Sequence, residues 1–252
     1  HGIYWPTMLM AAGLPLYESL HVHGYWVMDS GKMSKSLGNV IRPLEMKDRF
    51  GMDSFRYFLL REMVFGQDAS FSMDAFVTRV NADLANNLGN LVSRVLAMGN
   101  KYFDGVVQPL GNSWAEEDLA LKEAFVRTRR EIEEQMEKFY FHRALESIWG
   151  NLDRTNQYIV KTSPFVLIKD PQKRPRVGEV LHHLFEALRH SADFLSPFLP
   201  ETAGEISSLL GIPEDRTTDR TAWGEYFQSA HRVNPPKVLF PRIEPEEKES
   251  GN

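Results

Sequence analysis

The chain has 252 residues, of which 42% are hydrophobic and 25% are charged, enough for one large or two modest globular domains. The sequence contains no cysteine and therefore excludes disulfides, thiolate nucleophiles and cysteine-ligated zinc, so we expect no metal bound by this chain and a cytoplasmic location. No apolar run approaches the roughly 18 to 20 residues of a membrane span, so we expect no membrane partner. The formal net charge is −5, so any surface that binds nucleic acid must be a local patch.

The first 42 residues predict the end of an α/β unit. Pro6 is suited to the first turn of a short helix that Gly13 and Pro15 close. Residues 20–28 then have the composition of a strand. We therefore expect a helix packed on a sheet in this part of the chain.

A compact helical connector follows. Pro43 opens a helix that Gly51 ends, and either Asp53 or Ser54 can cap the next one. After this second helix the chain enters a loop at residues 66–68.

From residue 72 the sequence predicts a helical bundle. Ser72 can cap a long helix, and Ser113 with Glu116 forms a capping box for another. Apolar residues recur every three or four positions in the long helix: Val77, Val80, Leu84, Leu88, Leu91 and Val95. Two further helices end near Pro164 and Pro197, and the basic stretch 169–176 between them predicts an exposed loop.

The most informative segment is GKMSKSLGN at residues 31–39. Lys32 and Lys35 lie three positions apart among small hydroxyl residues and glycines. Such a mobile loop can bring two ammonium groups onto a polyphosphate and stabilise the charge on a leaving pyrophosphate. The alternative is a solvated surface loop, since most lysines are exposed.

A polar stripe lies beside the apolar one on the long helix, at Asp83, Asn87, Asn90 and Arg94. An amide and a guanidinium one turn apart, as at Asn90 and Arg94, suit the Watson–Crick edge of an unstacked base in single-stranded RNA. The alternative is a solvated helix face.

These motifs resemble a known family. KMSKS at 32–36 resembles the signature of class I aminoacyl-tRNA synthetases, and VIRP at 40–43 resembles the methionine-specific members. HVHGY at 21–25 resembles the strand before the loop, and DSFRYF at 53–58 resembles the stem-contact region. The resemblance covers nearly the whole chain and weakens after about residue 210.

The resemblance implies a role for the loop in amino-acid activation. It implies that Lys32 and Lys35 are catalytic and bind the phosphates of ATP, which arrives with Mg²⁺ as a substrate. The residues that it assigns to ATP binding are Lys32, Met33, Ser34, Lys35, Ser36, His23 and Gly24.

The start of the chain resembles the segment that lines the family's methionine pocket. The implied methionine contacts are His1, Tyr4 and Trp5. A thioether side chain prefers an aromatic-lined cavity, which agrees with this assignment. The alternative is that Tyr4 and Trp5 pack in the core against the sheet.

Two segments resemble the family's anticodon-reading region. NLVSR at 90–94 implies that Asn90 and Arg94 contact the CAU anticodon. The second match, at 156–165, has Phe165 where a tryptophan usually stacks on the anticodon, and phenylalanine stacks with a smaller face. The basic residues nearby either touch tRNA phosphates or are solvated: Lys169, Lys173, Arg174 and Arg176.

The resemblance implies a mainly α fold, with the C-terminal remnant of a Rossmann-type α/β catalytic domain followed by an α-helical anticodon-binding bundle. The expected divisions are 1–42 for the end of the catalytic domain, 43–71 for the stem-contact connector, 72–243 for the anticodon-binding domain and 244–252 for a mobile tail. The expected partners are tRNA(Met), methionine and ATP.

The family's first-half signature, with its paired histidines, and its zinc-bearing insertion do not occur in this sequence. We therefore expect a fragment that is inactive alone and needs the N-terminal half of the enzyme. Three other functions stay open. They are a stand-alone RNA-binding module, another class I synthetase such as that for leucine, valine or cysteine, and a helical protein-interaction scaffold.

Overall fold

The computed structural model describes residues 1–28, 41–213, 222–227 and 230–244. Its elements in chain order are α1 (Tyr4–Ala11), β1 (Trp26–Met28), α2 (Pro43–Phe50), α3 (Met52–Glu62), β2 (Ala69–Phe71), α4 (Met73–Arg79), a π-helix (Val80–Gly89), α5 (Asn90–Phe103), α6 (Glu116–Glu137), α7 (Phe141–Thr162), α8 (Pro164–Leu167), a 3₁₀-helix (Pro171–Lys173), α9 (Arg174–Leu195) and α10 (Pro200–Leu209). The predicted mainly α fold is confirmed.

The two strands pair in parallel, with Trp26 opposite Ala69. The strand predicted over residues 20–28 is therefore confirmed only for its last three residues. The backbone before β1 is irregular, and Gly24 there lies so close to another loop that a Cβ atom would be 1.9 Å from the Gln67 carbonyl oxygen. Strand β2 was missed, because three residues are too few to show an alternating pattern.

The first helix does not pack on this sheet. Helix α1 begins at Tyr4, two residues before the predicted start at Pro6, and buries none of its residues. The alternative that Tyr4 and Trp5 pack in the core is wrong in this structure, because their exposed fractions are 80% and 49%.

Asp53 lies inside α3 and does not cap it. Helix α3 begins at Met52 after Gly51, so the predicted cap at Asp53 or Ser54 is wrong. The buried Asp53 carboxylate instead accepts hydrogen bonds from the backbone nitrogen and the hydroxyl of Thr202, both at 2.7 Å. Asp53 therefore caps the start of α10, a helix distant in sequence.

Helix α9 forms the centre of the bundle. Residues 180–192 are all buried, and α9 packs against α5, α6, α7, α8 and α10. A helix that is buried on every side must satisfy its polar groups internally. Arg189 does so by donating hydrogen bonds to Glu186 and to the carbonyl oxygen of Ala222.

Two further boundaries differ from the prediction. Helix α6 starts at Glu116 with Ala115 before it, and the Ala115 N–H donates to Asp118 at 2.9 Å, so the capping box at Ser113 is wrong. The stretch 169–176 is not all loop, since α9 begins at Arg174. In the chain's last part, Trp223 and Phe227 are buried against the bundle.

We predict that Asp53→Ala lowers the free energy of unfolding by about 2 kcal/mol, because it removes a buried helix cap and leaves the Thr202 donors unsatisfied. Chemical denaturation monitored by circular dichroism measures the change. Asp48→Ala, at an exposed position in the last turn of α2, is the matched control and should change the stability by less than about 0.5 kcal/mol. Equal effects of the two substitutions would contradict the capping role.

Candidate RNA-binding surface

Asn90 and Arg94 are exposed on the first turns of α5. They lie four residues apart and therefore face the same side of the helix. The structure thus places the two predicted base-reading residues together at the surface.

Arg94 belongs to a hydrogen-bonded chain of side chains that joins α5 to α7. Its Nη2 donates to Oδ1 of Asn156. The Asn156 amide nitrogen donates in turn to Asn87 at 3.1 Å, and the Asn87 amide nitrogen donates to Asp153 at 2.9 Å. Because Arg94 lies on α5 and Asn156 on α7, two packed helices, the guanidinium is positioned before any ligand binds.

The π-helix breaks the polar stripe that the sequence predicted. Its backbone hydrogen bonds run from residue i to i+5, so side chains here do not follow the α-helical spacing. Asp83 turns inward and accepts a hydrogen bond of 2.7 Å from the Tyr57 hydroxyl, and burial raises the pKa of that hydroxyl. Asn87 is half-buried, and only Asn90 and Arg94 are exposed as predicted.

Phe165 lies at the surface where the chain turns after α7. Ser163 has a positive φ of 43°, and the buried Pro164 starts the short helix α8. This turn leaves the side chains of Phe165 and Val166 half-exposed, at 49% and 52%. About 10 Å of α7 separates Asn156 from the turn, so the ring and the Arg94 network are parts of one helix–turn unit.

A buried carboxylate fixes α7 within the bundle. Asp118 accepts hydrogen bonds from the Tyr158 hydroxyl at 2.5 Å and from two Arg176 nitrogens at 2.6 and 2.8 Å. Burial alone would raise the pKa of Asp118, but the hydrogen bonds from Arg176 and Tyr158 outweigh burial and lower it. Tyr158 lies two residues from Asn156, so this contact positions the part of α7 that holds Arg94.

The four basic residues near this turn have two different environments in the structure. Arg176 is half-buried and forms an ion pair with Asp118 at 2.6 Å. Lys169, Lys173 and Arg174 remain exposed.

The N-terminal candidates are not brought together in one cavity. His1, Tyr4 and Trp5 lie on or next to the exposed helix α1. Nδ1 of the exposed His23 lies 2.7 Å from the Gly24 carbonyl oxygen, and Gly24 is buried. The loop with Lys32, Met33, Ser34, Lys35 and Ser36 lies outside the described residues.

The sequence did not reveal three residues that support this surface. They are Asn156, which accepts from Arg94, Asp153, which accepts from Asn87, and Asp118. One signal was available, because asparagine is a poor helix former and Asn156 stands in the middle of a long helix. Nothing in the local sequence marks Asp118, whose partners come from two other helices.

Within the described ranges, no three or more histidine and acidic side chains are placed to hold a metal ion together. Likewise, no helix in this part of the chain combines the length and the apolar character that a bilayer span needs.

Two family models match the chain. Residues 1–96 match the family "tRNA synthetases class I (M)", and residues 108–251 match the "Anticodon binding domain of methionyl tRNA ligase". The second match covers more than half of the chain.

Curated relatives agree with these models. The chain is 47% identical over 246 residues to the methionine–tRNA ligase of Caldanaerobacter subterraneus and 44% identical over 250 residues to that of Bacillus subtilis. Each match covers 98% of this chain, but only 38% and 37% of the relative. The chain thus spans less than two-fifths of their length.

Solved structures give the same result. The methionyl-tRNA synthetase of Mycobacterium tuberculosis in complex with methionyl-adenylate matches with a TM-score of 0.88 and 38% identity, over 96% of this chain and 48% of that one. Its apo form matches with a TM-score of 0.85 and 35% identity, over 97% and 48%. These matches confirm the predicted order of a short Rossmann-type α/β segment followed by an α-helical bundle.

We predict that His183, which lies 3.7 Å from Asp118, makes the bundle sensitive to acid. Burial lowers the pKa of His183 to about 4, whereas an unfolded histidine titrates near 6.5. Below pH 6.5 the unfolded chain therefore binds a proton that the folded chain does not, and stability falls as the pH drops towards 4.

Between pH 7 and pH 4 the wild type should lose about 3 kcal/mol more stability than His183→Gln. Denaturant unfolding of both proteins at several pH values measures this. The substitution also removes the hydrogen bond that Trp223 donates to His183, which lowers the stability equally at every pH. If the two plots of stability against pH are parallel, the prediction is contradicted.

Proposed function

The chain belongs to the methionyl-tRNA ligase family, and we propose that it supplies two parts of such a ligase: an ATP-phosphate loop at residues 31–39 and a helical surface that reads the CAU anticodon of tRNA(Met). One observation carries the anticodon proposal. Asn156 holds the guanidinium of Arg94 in place beside the exposed Asn90.

The chemistry of this pair suits a nucleobase. The guanidinium of Arg94 has five N–H donors. Among the described residues, Asn156 accepts from one of these donors, so others remain for the edge of a base. The Asn90 amide offers both a donor and an acceptor. Single-stranded RNA is read in this way, by hydrogen bonds to the edges of unstacked bases.

Phe165 complements these polar groups by stacking. Its ring is half-exposed at the end of the helix that carries Asn156. A base that stacks on an aromatic ring gains about 1–3 kcal/mol whatever its identity. Phe165 therefore supplies affinity, and Asn90 and Arg94 supply the distinction between bases.

The sequence position of the lysine loop supports its role. Strand β1 ends at Met28 and α2 begins at Pro43, so the loop follows the carboxyl end of a parallel strand. Ligands of α/β sheets bind at that end.

In the reaction, a carboxylate oxygen of methionine attacks the α-phosphorus of ATP and the bond to pyrophosphate breaks. Lys32 and Lys35 stabilise the charge that builds on the pyrophosphate. A hydroxyl of the terminal tRNA ribose then attacks the carbonyl carbon of methionyl-adenylate and releases AMP. Mg²⁺ accompanies ATP as part of the substrate.

The methionine contacts of His1, Tyr4 and Trp5 belong to the same proposal. Their side chains are exposed, so they can line a pocket together with the N-terminal half of a ligase. For the same reason we propose that the chain alone does not form the adenylate. The proposed location is the cytoplasm, where translation takes place.

We predict that Arg94→Ala in a full-length ligase that carries this sequence reduces the preference for CAU over other anticodons by roughly ten- to a hundredfold, the usual effect of losing one base-reading arginine. Adenylate formation should stay nearly unchanged. Aminoacylation of tRNA variants and ATP–pyrophosphate exchange measure the two quantities. Arg127→Ala, at an exposed position on α6, is the matched control. Unaltered discrimination by Arg94→Ala would refute the anticodon assignment.

We predict that Lys35→Ala in the same ligase lowers the rate of methionine activation by about a hundredfold or more and changes the methionine dissociation constant only a few-fold, because the ammonium group acts on charge that develops in the transition state. ATP–pyrophosphate exchange is the measurement, with the exposed Lys47→Ala as control. If exchange is unchanged while Arg94→Ala still loses discrimination, the chain is an RNA-binding module and not part of a ligase active site.

A further inference from the structure

Phe139 lies in the turn between α6 and α7, in a backbone conformation that is unusual for a bulky residue. Its φ is 59°, in the left-handed region, which aromatic residues rarely adopt. Such a conformation persists only where the surrounding contacts hold it. Two of the contacts that hold Phe139 come from outside the bundle.

The Phe139 ring packs against two segments of the N-terminal part of the chain. Its centroid lies 4.3 Å from that of the His21 ring and 5.4 Å from that of the Phe65 ring, on which it stacks. His21 is also held by Ser19, whose hydroxyl oxygen lies 3.0 Å from the imidazole Nε2. One side chain of the bundle thus bridges the segment before β1 and the loop before β2.

Both bridged segments lead into the sheet. His21 stands five positions before the start of β1, and Phe65 stands four positions before the start of β2. Because β1 and β2 are parallel, the two segments enter the sheet from the same side. Phe139 therefore contacts both segments upstream of the point where the strands pair.

Between Phe139 and the sheet, the two segments also contact each other. The Tyr25 N–H donates to Oδ1 of Asp68 at 2.7 Å, and the Ala69 N–H donates to the Tyr25 carbonyl oxygen at 2.9 Å. Gly24 lies against the Gln67 carbonyl oxygen and leaves no room for a side chain. Because these contacts are close, a shift of either segment at its upstream end would displace Gly24 as well.

We infer that Phe139 is a positioning residue for ATP binding, which acts by holding His21 and thereby the neighbouring His23 and Gly24. This inference rests on the proposed function and on the ATP contacts that the family resemblance assigns to His23 and Gly24. Nδ1 of His23 lies 2.7 Å from the Gly24 carbonyl oxygen, so the imidazole follows the backbone of that glycine. His23 is exposed, and its placement therefore depends on the segment that carries it.

The next residue of the same turn provides a matched control. Tyr140 follows Phe139 directly, and its ring contacts the His142 ring and the Arg143 guanidinium, both on α7. Neither contact involves the N-terminal segments. Tyr140→Ala therefore perturbs the turn without removing the bridge.

The test measures ATP–pyrophosphate exchange by a full-length ligase that carries this sequence, at varied ATP and at varied methionine. Phe139→Gly should raise the KM for ATP about tenfold and change kcat and the KM for methionine less than about twofold, because it displaces groups that bind ATP. Phe139→Tyr keeps the ring and should have a KM for ATP within about twofold of the wild type. Tyr140→Ala should leave all three quantities unchanged.

Glycine is the chosen replacement because it adopts a positive φ without strain. Relief of that strain offsets part of the lost ring contacts, so the thermal unfolding midpoint of Phe139→Gly should stay within about five degrees of the wild type. A role in stability alone would reduce the amount of active enzyme and hence kcat. A lower kcat with an unchanged KM for ATP would therefore overturn the inference.

The contact with His21 gives an independent test. If Phe139 acts by holding His21, the double variant His21→Ala/Phe139→Gly should raise the KM for ATP no further than the variant with the larger single effect. Separate increases that multiply in the double variant would overturn the inference.

Failure of the inference can be told apart from failure of the proposed function. If Lys35→Ala lowers exchange while Phe139→Gly keeps the wild-type KM for ATP, only the positioning role is wrong. If Lys35→Ala leaves exchange unchanged, the proposed function is wrong, and with it any role of Phe139 in ATP binding.

Discussion

The bundle depends on the buried charge of Asp118. A carboxylate out of contact with water is costly unless cations and donors surround it, and here they come from the starts of α6 and α9 and from α7. The three helices are thereby held in one relative position. Loss of one partner would leave a buried charge uncompensated, at a cost of about 3–5 kcal/mol. Asn156, two residues before Tyr158 on α7, inherits its placement from this contact.

A second set of polar contacts fixes the connector to the bundle, and all of it comes from one helix. On α3, Asp53 binds the start of α10 and Arg56 donates to the carbonyl oxygens of Phe198 and Pro197. Tyr57, one residue further, reaches the π-helix through Asp83. Apolar packing alone tolerates small shifts, whereas these directional bonds define one arrangement of the two parts.

The sequence predicted the helices well because their apolar residues repeat at helical spacing, as from Leu84 to Val95, and burial follows that pattern. The exposure of Asn90 and Arg94 on one face of α5 also followed from spacing. The predicted cap at Asp53 or Ser54 failed because Asp53 binds a tertiary partner, Thr202, and the predicted capping box at Ser113 failed because α6 begins only at Glu116. The Asn156 contact could not be predicted, since it joins residues 62 positions apart.

The π-helix has a consequence for how this sequence can vary between relatives. Because its turns contain more residues than those of an α-helix, removing one residue from 80–89 could restore ordinary α-helical bonding without breaking the helix. The deleted residue is the one that the wider turns accommodate, so the segments on either side would keep nearly the same orientation to each other. Asn90 and Arg94 would stay beside Asn156, so this stretch tolerates the loss of one residue, which in an α-helix would rotate everything downstream by about 100°.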